Sequence, residues 1–432
     1  MRWHQWTFLD PLLRSSRTSG SLSRLFLEQV SIDSIVSLLT PALGHFLMLE
    51  QPDLWTRNIL EFTQTPHSVH AVVIDSGSTG SRVLAFSFRY HPVSGELLLY
   101  DELWEESKPG LSSYAGNPAE GAASIAALLE LAKARIPEAA WAATPVFVAA
   151  TAGLRLLPAH QSEALIDAIK HTLHTSVFVD RGVDILSELD EGVFGWVTVN
   201  YLLHKLARPS ESYVALDLGG GSTQVPFLPR QPATLASSPA SFLHKVKVGG
   251  VEETLYSHSY LGAGLMAARE AVFRLHDPED ALELASACLV GEHAAPQGFK
   301  KYKVKAAQKV GYTECMEEVK QFVVGVQIDH CEELDTRGLV AFSYFYDRAV
   351  DAGLLRRGEN GVVQVGDYLA AAEVACSQPD PSSPFLCADL AIIGGLLHHG
   401  YSLALDTPLE LYKKIDGHET SWALGAAFDL LE

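Results

Sequence analysis

The chain has 432 residues, of which 47% are hydrophobic and 19% charged, and its formal net charge is −20 at pH 7. This length and composition predict a folded protein with a substantial core and two domains. The negative charge excludes a general nucleic-acid binder, because such proteins neutralise phosphates with clustered basic residues. It does not exclude a nucleotide substrate, since a local loop and a metal ion can hold phosphate inside a negative field.

The first 69 residues differ from the rest of the chain. Arginines and serines fill the first 34 residues, and a mostly apolar stretch follows over 35–49. Fifteen residues are short for a membrane span, which needs about 20. A basic region before an apolar run is typical of a signal sequence or a signal anchor, and the order of charges places the N-terminus in the cytosol. A disordered or partly helical leader is the alternative.

A strand, a tight turn and a second strand are predicted around the segment Asp75-Ser-Gly-Ser-Thr-Gly-Ser-Arg82. Clustered amides in such a turn bind anions, and glycine lets the backbone approach closely. The aspartate would then hold a divalent cation, because Mg²⁺ and Ca²⁺ favour oxygen ligands. Asp-Ser-Gly-Ser also occurs in ordinary hairpins, so this turn alone is a weak indication.

The hydrophobic pattern next predicts helices over 118–136, 162–175 and 189–203, and a buried strand over 146–150. That strand leads into Thr151-Ala-Gly-Leu-Arg155, another junction between a strand and a turn. The third helix opens with Asp190 and Glu191, which suit the positive end of a helix dipole. This capping role is the structural alternative to a catalytic role for Glu191.

The opening pattern then recurs in Asp217-Leu-Gly-Gly-Gly-Ser-Thr-Gln224, where Asp217 lies 142 positions after Asp75 (217 − 75). Two such turns at a domain's distance predict duplicated lobes whose phosphate loops face each other. Farther on, the pattern favours a helix over 261–273, a strand over 390–393 and a helix over 420–428. The aromatic cluster at 342–346 fits core packing better than base stacking.

All five cysteines, at 288, 315, 331, 376 and 387, lie in the C-terminal part of the chain, and none forms a Cys-x-x-Cys pair. A zinc or redox motif is therefore not expected. Cys376 and Cys387 flank a turn-rich loop that a disulfide could close, which would contribute roughly 3 kcal/mol. Free buried cysteines are the alternative.

Five blocks together resemble the signature blocks of the apyrase, or nucleoside triphosphate diphosphohydrolase, family. They are the two aspartate turns, Ala150-Thr-Ala-Gly-Leu-Arg155, Asp190-Glu-Gly-Val-Phe-Gly-Trp196 and Ser421-Trp-Ala-Leu-Gly425. They keep the family's order and spacing over residues 70–432. Three further segments, 342–349, 383–387 and 411–414, resemble the soluble-type branch, which prefers nucleoside diphosphates such as UDP and GDP. Two features depart from that branch: Ser187-Glu188-Leu189 replaces small polar residues, and no Asn-x-Ser/Thr sequon occurs.

The resemblance implies an α/β fold of two RNase H-like lobes, of the actin/Hsp70/hexokinase type, with the active site between them. Lobe I is expected at 70–179 plus 408–432, lobe II at 180–407, and the leader at 1–69. It further implies the disulfides Cys288–Cys315 and Cys376–Cys387. It also implies the lumen of the endoplasmic reticulum or Golgi, in a secreted or singly anchored form. We expect a monomer that acts on nucleoside di- and triphosphates and does not bind nucleic acid.

The implied reaction is direct attack of water on a terminal phosphorus, with Ca²⁺ or Mg²⁺ as cofactor. Glu191 is the expected general base, and Asp75 and Asp217 the expected metal ligands. Ser222 and Gln224 would orient the water, with support from Thr151 and Arg155. The residues expected to contact substrate are Gly77, Ser78, Thr79, Gly80, Arg82, Gly219, Gly220, Gly221, Ser222 and, for base stacking, Tyr346.

Two other functions compete with this interpretation. An exopolyphosphatase or guanosine pentaphosphate phosphatase shares the two-loop architecture and similar loop sequences. The block at 190–196, the block at 421–425 and the paired cysteines favour the apyrase interpretation. An actin-like or chaperone-like module would use hydrolysis as a conformational switch, but 432 residues show no separate peptide-binding domain or filament-forming insert.

Overall fold

The computed structural model describes residues 68–77, 79–91, 95–248, 251–278, 280–294 and 302–431. The predicted leader, up to residue 67, and Ser78 of the first turn lie outside the described residues. His70–Phe86 and the chain from Asp101 onward belong to one compact unit, which contains the site residues discussed below, and the segment Ser87–Tyr100 belongs to a second unit. No helix in the described part of the chain has the length and apolarity to span a bilayer.

Eleven helices are numbered here among the described residues. They are α1 Pro118–Arg135, α2 Ala152–Arg155, α3 Ala159–His174, α4 Glu188–Leu202, α5 Pro232–Ser237, α6 Leu265–Phe273, α7 Tyr312–Val326, α8 Tyr344–Asp351, α9 Val365–Ser377, α10 Leu386–Gly395 and α11 Trp422–Leu431. The strands are β1 Ser68–Ser76, β2 Ser81–Tyr90, β3 Leu97–Ser107, β4 Pro145–Ala150, β5 Val179–Ile185, β6 Val214–Leu218, β7 Ser222–Gln224, β8 Leu243–Val248, β9 Val251–Tyr256, β10 Ser259–Leu261, β11 Glu283–Ser286, β12 Glu292–Ala294, β13 Lys303–Ala306, β14 Leu339–Ser343, β15 Gly361–Gln364, β16 Pro408–Leu411, β17 Lys414–Ile415 and β18 His418–Glu419.

The first sheet has the strand order β3-β2-β1-β4-β5, with β1, β4 and β5 parallel. Its central strands are nearly continuous apolar runs because helices cover parallel strands. Apolar residues of α1 and α3, such as Ile125 and Leu165, join Val72 and Val148 in one buried cluster. Asp75 and Ser76 pair with Ala149 and Ala150 at the carboxyl ends of β1 and β4. The first turn and Thr151 therefore emerge at the same edge of this sheet.

The second sheet has the order β10-β7-β6-β14-β16-β15. Strands β6, β14 and β16 are parallel, whereas β7 folds back antiparallel on β6 and pairs with β10. Asp217 lies near the carboxyl end of β6 and pairs with Phe342 of β14. The two aspartates thus hold equivalent positions, each near the end of a parallel strand that precedes a glycine turn.

The predicted α/β fold is confirmed, and most predicted helices lie within a few residues of the observed ones. The strand predicted over 390–393 is wrong, because these residues form the middle of α10. This helix is buried on every side, so its sequence has no polar face to reveal the helical period. The lobe boundaries stay a prediction; β5 extends the first sheet to Ile185, and Pro408–Leu411 hydrogen-bonds into the second sheet.

The cysteine pairing implied by the family resemblance is confirmed. Disulfides join Cys288 to Cys315 and Cys376 to Cys387, and Cys331 is a free buried thiol. The four bridged cysteines belong to the buried apolar cluster that also contains Val214 and Leu216 of β6. Two structural disulfides are compatible with an oxidising compartment such as the secretory lumen or the cell exterior.

Candidate active site

The two glycine turns share the same backbone hydrogen bond. The Gly77 N–H donates to the Gly80 carbonyl at 3.0 Å, and the Gly219 N–H donates to the Ser222 carbonyl at 3.0 Å. Each residue of the second turn lies 142 positions after its counterpart (219 − 77 and 222 − 80), the spacing that separates Asp75 from Asp217. The sequence repeat is therefore a structural repeat as well.

The second turn is held from behind by the N-terminal end of α6. The N–H groups of Leu265 and Met266 donate to the carbonyls of Gly219 and Gly220, both at 2.9 Å. These bonds fix the carbonyls toward the helix. In the described part of the chain, the N–H groups of Gly220 and Gly221 have no protein acceptor. The turn thus offers backbone donors of the kind that bind phosphate oxygens.

The carboxylates of Asp75 and Asp217 each have one buried oxygen, Oδ1, without a hydrogen-bond partner among the described residues. Burial raises the pKa of Asp75 to about 6, although the Arg82 guanidinium, 3.6 Å from Oδ2, acts in the opposite direction. Burial likewise raises the pKa of Asp217 to about 6. Two buried carboxylate oxygens without partners fit a divalent cation or its bound water, because hard cations prefer such ligands.

Glu191 lies in the first turn of α4, where the Ser187 side chain caps the helix by accepting from the Asp190 N–H at 3.0 Å. The Glu191 carboxylate is buried and forms an ion pair with Arg155. Burial raises the pKa of Glu191 to about 8; Arg155 lowers it, and the negative charges of Asp217 and Asp75 raise it further. The ionised form of a carboxyl with a raised pKa is a stronger base than an ordinary carboxylate and can accept a proton from water.

Ser222 and Gln224 are adjacent on one face of β7. Gln224 Nε2 lies 2.8 Å from Ser222 Oγ, and both side chains are almost fully buried. Thr151 follows β4 and is also buried; its N–H donates to the Ser76 carbonyl at 3.3 Å, which ties it to the first turn. Arg155, one helical turn later, reaches Glu188 at 3.5 Å in addition to Glu191. Of the five predicted catalytic side chains, Ser222 and Gln224 therefore lie on β7 and Thr151 directly follows β4, whereas Arg155 and Glu191 form an ion pair between α2 and α4.

Among the predicted substrate contacts that the structure describes, Gly77, Thr79 and Gly80 lie in the first turn, and Gly219, Gly220, Gly221 and Ser222 lie in the second. Arg82 contacts Glu106 at 2.7 Å as well as Asp75, so its guanidinium is engaged by protein carboxylates.

Tyr346 is not placed for base stacking. Its ring is only 2% exposed within the core, and its hydroxyl accepts from the Gly358 N–H at 2.9 Å. A ring packed on its faces by core side chains offers no surface to a base. Tyr344, two residues earlier, is half-buried, interacts electrostatically with Arg82 and has the Arg348 guanidinium 5.7 Å from its ring centre.

Sequence reasoning missed two residues of this site. Glu106 on β3 holds Arg82, and Ser343 at the end of β14 hydrogen-bonds to the Asp217 carboxylate. Ser343 has φ 56° and ψ −127°, a conformation that is strained for any residue with a side chain. Such strain is typical of functional sites, but a serine within Phe-Ser-Tyr gives no sign of it in the sequence.

Enzymes that hydrolyse phosphoric anhydrides need backbone donors that bind phosphate oxygens and carboxylates that bind a metal ion or accept a proton. The paired turns and the buried carboxylates of this site fit that class. Comparison with known proteins agrees with this class. Residues 62–335 match the GDA1/CD39 (nucleoside phosphatase) family. The chain is 38% identical to nucleoside diphosphate phosphatase ENTPD5 of Homo sapiens over 416 residues, which cover 92% of this chain and 96% of that protein. It is 40% identical to ectonucleoside triphosphate diphosphohydrolase 6 of Rattus norvegicus, covering 84% and 82% of the two chains.

The chain belongs to the GDA1/CD39 family of nucleoside phosphatases. The family is dependent on a divalent metal. Among solved structures, a nucleoside triphosphate hydrolase from Neospora caninum superposes with a TM-score of 0.60 over 86% of this chain and 95% of that one, at 14% identity. At that identity the superposition shows a shared fold.

Proposed function

We propose that the protein hydrolyses nucleoside diphosphates such as UDP, GDP and IDP to nucleoside monophosphate and phosphate, and triphosphates more slowly. The observation that carries the proposal is the buried Glu191 carboxylate, paired with Arg155 and within electrostatic reach of both turn aspartates. The relative named nucleoside diphosphate phosphatase, aligned over 92% of this chain, supports a diphosphate as the preferred substrate.

In the proposed reaction, a water molecule attacks the terminal phosphorus directly. A bond forms between the water oxygen and phosphorus, and the bond from phosphorus to the bridging oxygen breaks. Glu191 takes the water's proton as general base. The bridging oxygen leaves with the nucleoside monophosphate, and the former water oxygen becomes part of inorganic phosphate. Ser222 and Gln224 orient the water.

The phosphate groups bind to the turns. The Gly77 and Gly219 N–H groups close the turns at 77–80 and 219–222, whereas amides without a protein acceptor, such as those of Gly220 and Gly221, donate to phosphate oxygens and stabilise the charge that develops during attack. Thr151 lies at the strand end beside the first turn and supports the terminal phosphate. Arg155 holds Glu191 and adds positive charge near the same phosphate, whereas Arg82 acts mainly by holding Asp75.

Asp75 and Asp217 would hold Ca²⁺ or Mg²⁺, because their unpartnered buried Oδ1 atoms are suitable ligands. When bound, such a cation neutralises phosphate charge. For the base of the nucleotide, we propose Tyr344 in place of Tyr346, since Tyr344 keeps part of its ring exposed near Arg82.

We further propose that the protein acts in the lumen of the endoplasmic reticulum or Golgi, as a monomer, in a secreted form or with one N-terminal anchor. The two disulfides support an oxidising compartment. The net charge of −20 opposes binding to nucleic acid.

The proposal is tested by phosphate release from a panel of nucleoside di- and triphosphates and polyphosphate, with Ca²⁺, Mg²⁺ or chelator. We expect fast multiple turnover of diphosphates with metal, and none by Glu191→Ala, which still folds and binds nucleotide. Wild-type-like phosphate release by that variant would refute the role of Glu191. Preference for polyphosphate would favour the exopolyphosphatase alternative, and tight retention of ADP after one turnover would favour a conformational switch.

A further inference from the structure

Ser259 lies beside the residues proposed to orient the attacking water. It is the first residue of β10, and the antiparallel pairing of β10 with β7 places it directly opposite Gln224. Its side chain is 2% exposed, and its Oγ lies 2.9 Å from Gln224 Nε2. None of the five signature blocks contains this residue.

The side-chain amide of Gln224 is held by two serines at once. An amide nitrogen has two N–H donors. One is directed at Ser222 Oγ, 2.8 Å away, and the other at Ser259 Oγ. Gln224 Oε1 is buried and has no hydrogen-bond partner among the described residues. The hydrogen-bonding atom left for another molecule is therefore an acceptor.

The direction of this amide matters for the chemistry. An acceptor takes a hydrogen from the water and leaves the oxygen lone pair free to attack phosphorus. A flipped amide would donate to the water oxygen and engage that lone pair. The terminal torsion of glutamine is soft and broad, so a single hydrogen bond leaves the amide free to swing about that contact. The second serine holds the same end of the amide, and in the observed arrangement the other end, Oε1, is directed away from both serines.

We propose that Ser259 is a positioning residue, which together with Ser222 holds one end of the Gln224 amide so that the other end faces the attacking water. The inference rests on the proposed hydrolytic function and adds a residue to it. Ser259 itself touches neither the water nor the phosphates in this arrangement. Loss of its hydroxyl should slow the chemical step and leave nucleotide binding intact.

The test compares Ser259→Ala with a control, Ser212→Ala. Ser212 is also buried, but its hydroxyl has no hydrogen-bond partner in the described structure. All variants are assayed on whichever phosphate anhydride the wild type hydrolyses fastest. If that substrate is not a nucleotide, the proposed function is refuted, but the comparison of the serine variants still tests the role of Ser259. We expect Ser259→Ala to lower kcat about 10-fold with KM nearly unchanged. Ser259→Thr, which keeps the hydroxyl, should recover most of the rate. Equal kcat for Ser259→Ala and Ser212→Ala, or no recovery by threonine, would overturn the inference.

A double-mutant cycle separates positioning from a general structural effect. In a Gln224→Ala background there is no amide to orient, so adding Ser259→Ala should change kcat by less than about twofold. If Ser259→Ala instead costs the same factor with and without Gln224, it acts through the fold, and the proposal fails. Thermal unfolding of each variant verifies that the compared proteins are folded.

Discussion

Replacing Glu191 with glutamine should remove a pH-dependent destabilisation of the metal-free protein. The carboxyl pKa rises from 4.5 to about 8 on folding, chiefly through burial. The folded state thus binds this proton more tightly than the unfolded chain does. The resulting stabilisation is complete below pH 4.5 and is lost as the pH rises through 8. Glutamine has nearly the same shape and does not titrate.

The magnitude follows from the shift. One pKa unit corresponds to about 1.4 kcal/mol, so a rise from 4.5 to about 8 corresponds to a change on the order of 5 kcal/mol in the free energy of unfolding. At pH 5 the wild type and Glu191→Gln should have similar stability, because both side chains are neutral in the folded state. At pH 8 the variant should be more stable by several kcal/mol.

Urea unfolding in the presence of a chelator, followed by tryptophan fluorescence between pH 5 and 8, measures this difference. Glu188→Gln is the matched control, because Glu188 also faces Arg155 but its side chain is 41% exposed. That control should follow the wild-type curve. Parallel curves for wild type and Glu191→Gln across the whole range would refute the reasoning.

Three further predictions concern Asp217, the support of the second turn and a buried ion pair. Asp217→Asn should require more Ca²⁺ or Mg²⁺ for half-maximal phosphate release, and an unchanged metal titration would contradict its assignment as a ligand. Gly264→Ala should lower kcat at least about 10-fold, because its Cβ would lie 2.2 Å from the Ser222 backbone nitrogen and would displace the second turn. Gly116→Ala, where the added Cβ meets open space, is the control. Asp389→Ala leaves the buried Arg269 guanidinium without its partner and should cost about 3–5 kcal/mol of stability, measured by urea unfolding.

The parts of the site that are local in sequence could be predicted from it. Asp75 and Asp217 each precede a glycine turn within a few residues, so strand, carboxylate and turn appear together in the sequence. The prediction of Glu191 rests on a similar signal, because the start of its helix carries a recognisable block.

Contacts between distant strands could not be predicted in this way. Ser259 lies 35 positions from Gln224, and Glu106 lies 24 positions from Arg82. Both contacts depend on which strands become neighbours in a sheet, and hydrophobic alternation does not specify strand order.

Tyr346, the residue predicted for base stacking, faces the core because of helix geometry. Tyr344 and Tyr346 both belong to α8, and residues two apart on a helix point about 200° away from each other. One therefore faces the core when the other faces outward. An aromatic cluster shows that one face is buried, but only the packing of α8 against its neighbours decides which tyrosine is inside.

Helix α4, which carries Glu191, takes its position from residues made much later during synthesis. The Thr198 hydroxyl donates to the Ser421 carbonyl at 2.8 Å and accepts from the Gly425 N–H at 2.9 Å, across 227 positions in the second case. A ribosome adding 5–20 residues per second needs roughly 10 to 45 s to cover that interval. A growing chain therefore displays both phosphate turns and the glutamate before the packing that fixes α4 exists. We therefore expect the proposed active site to be complete only after the segment of α11 has left the exit tunnel and docked against α4.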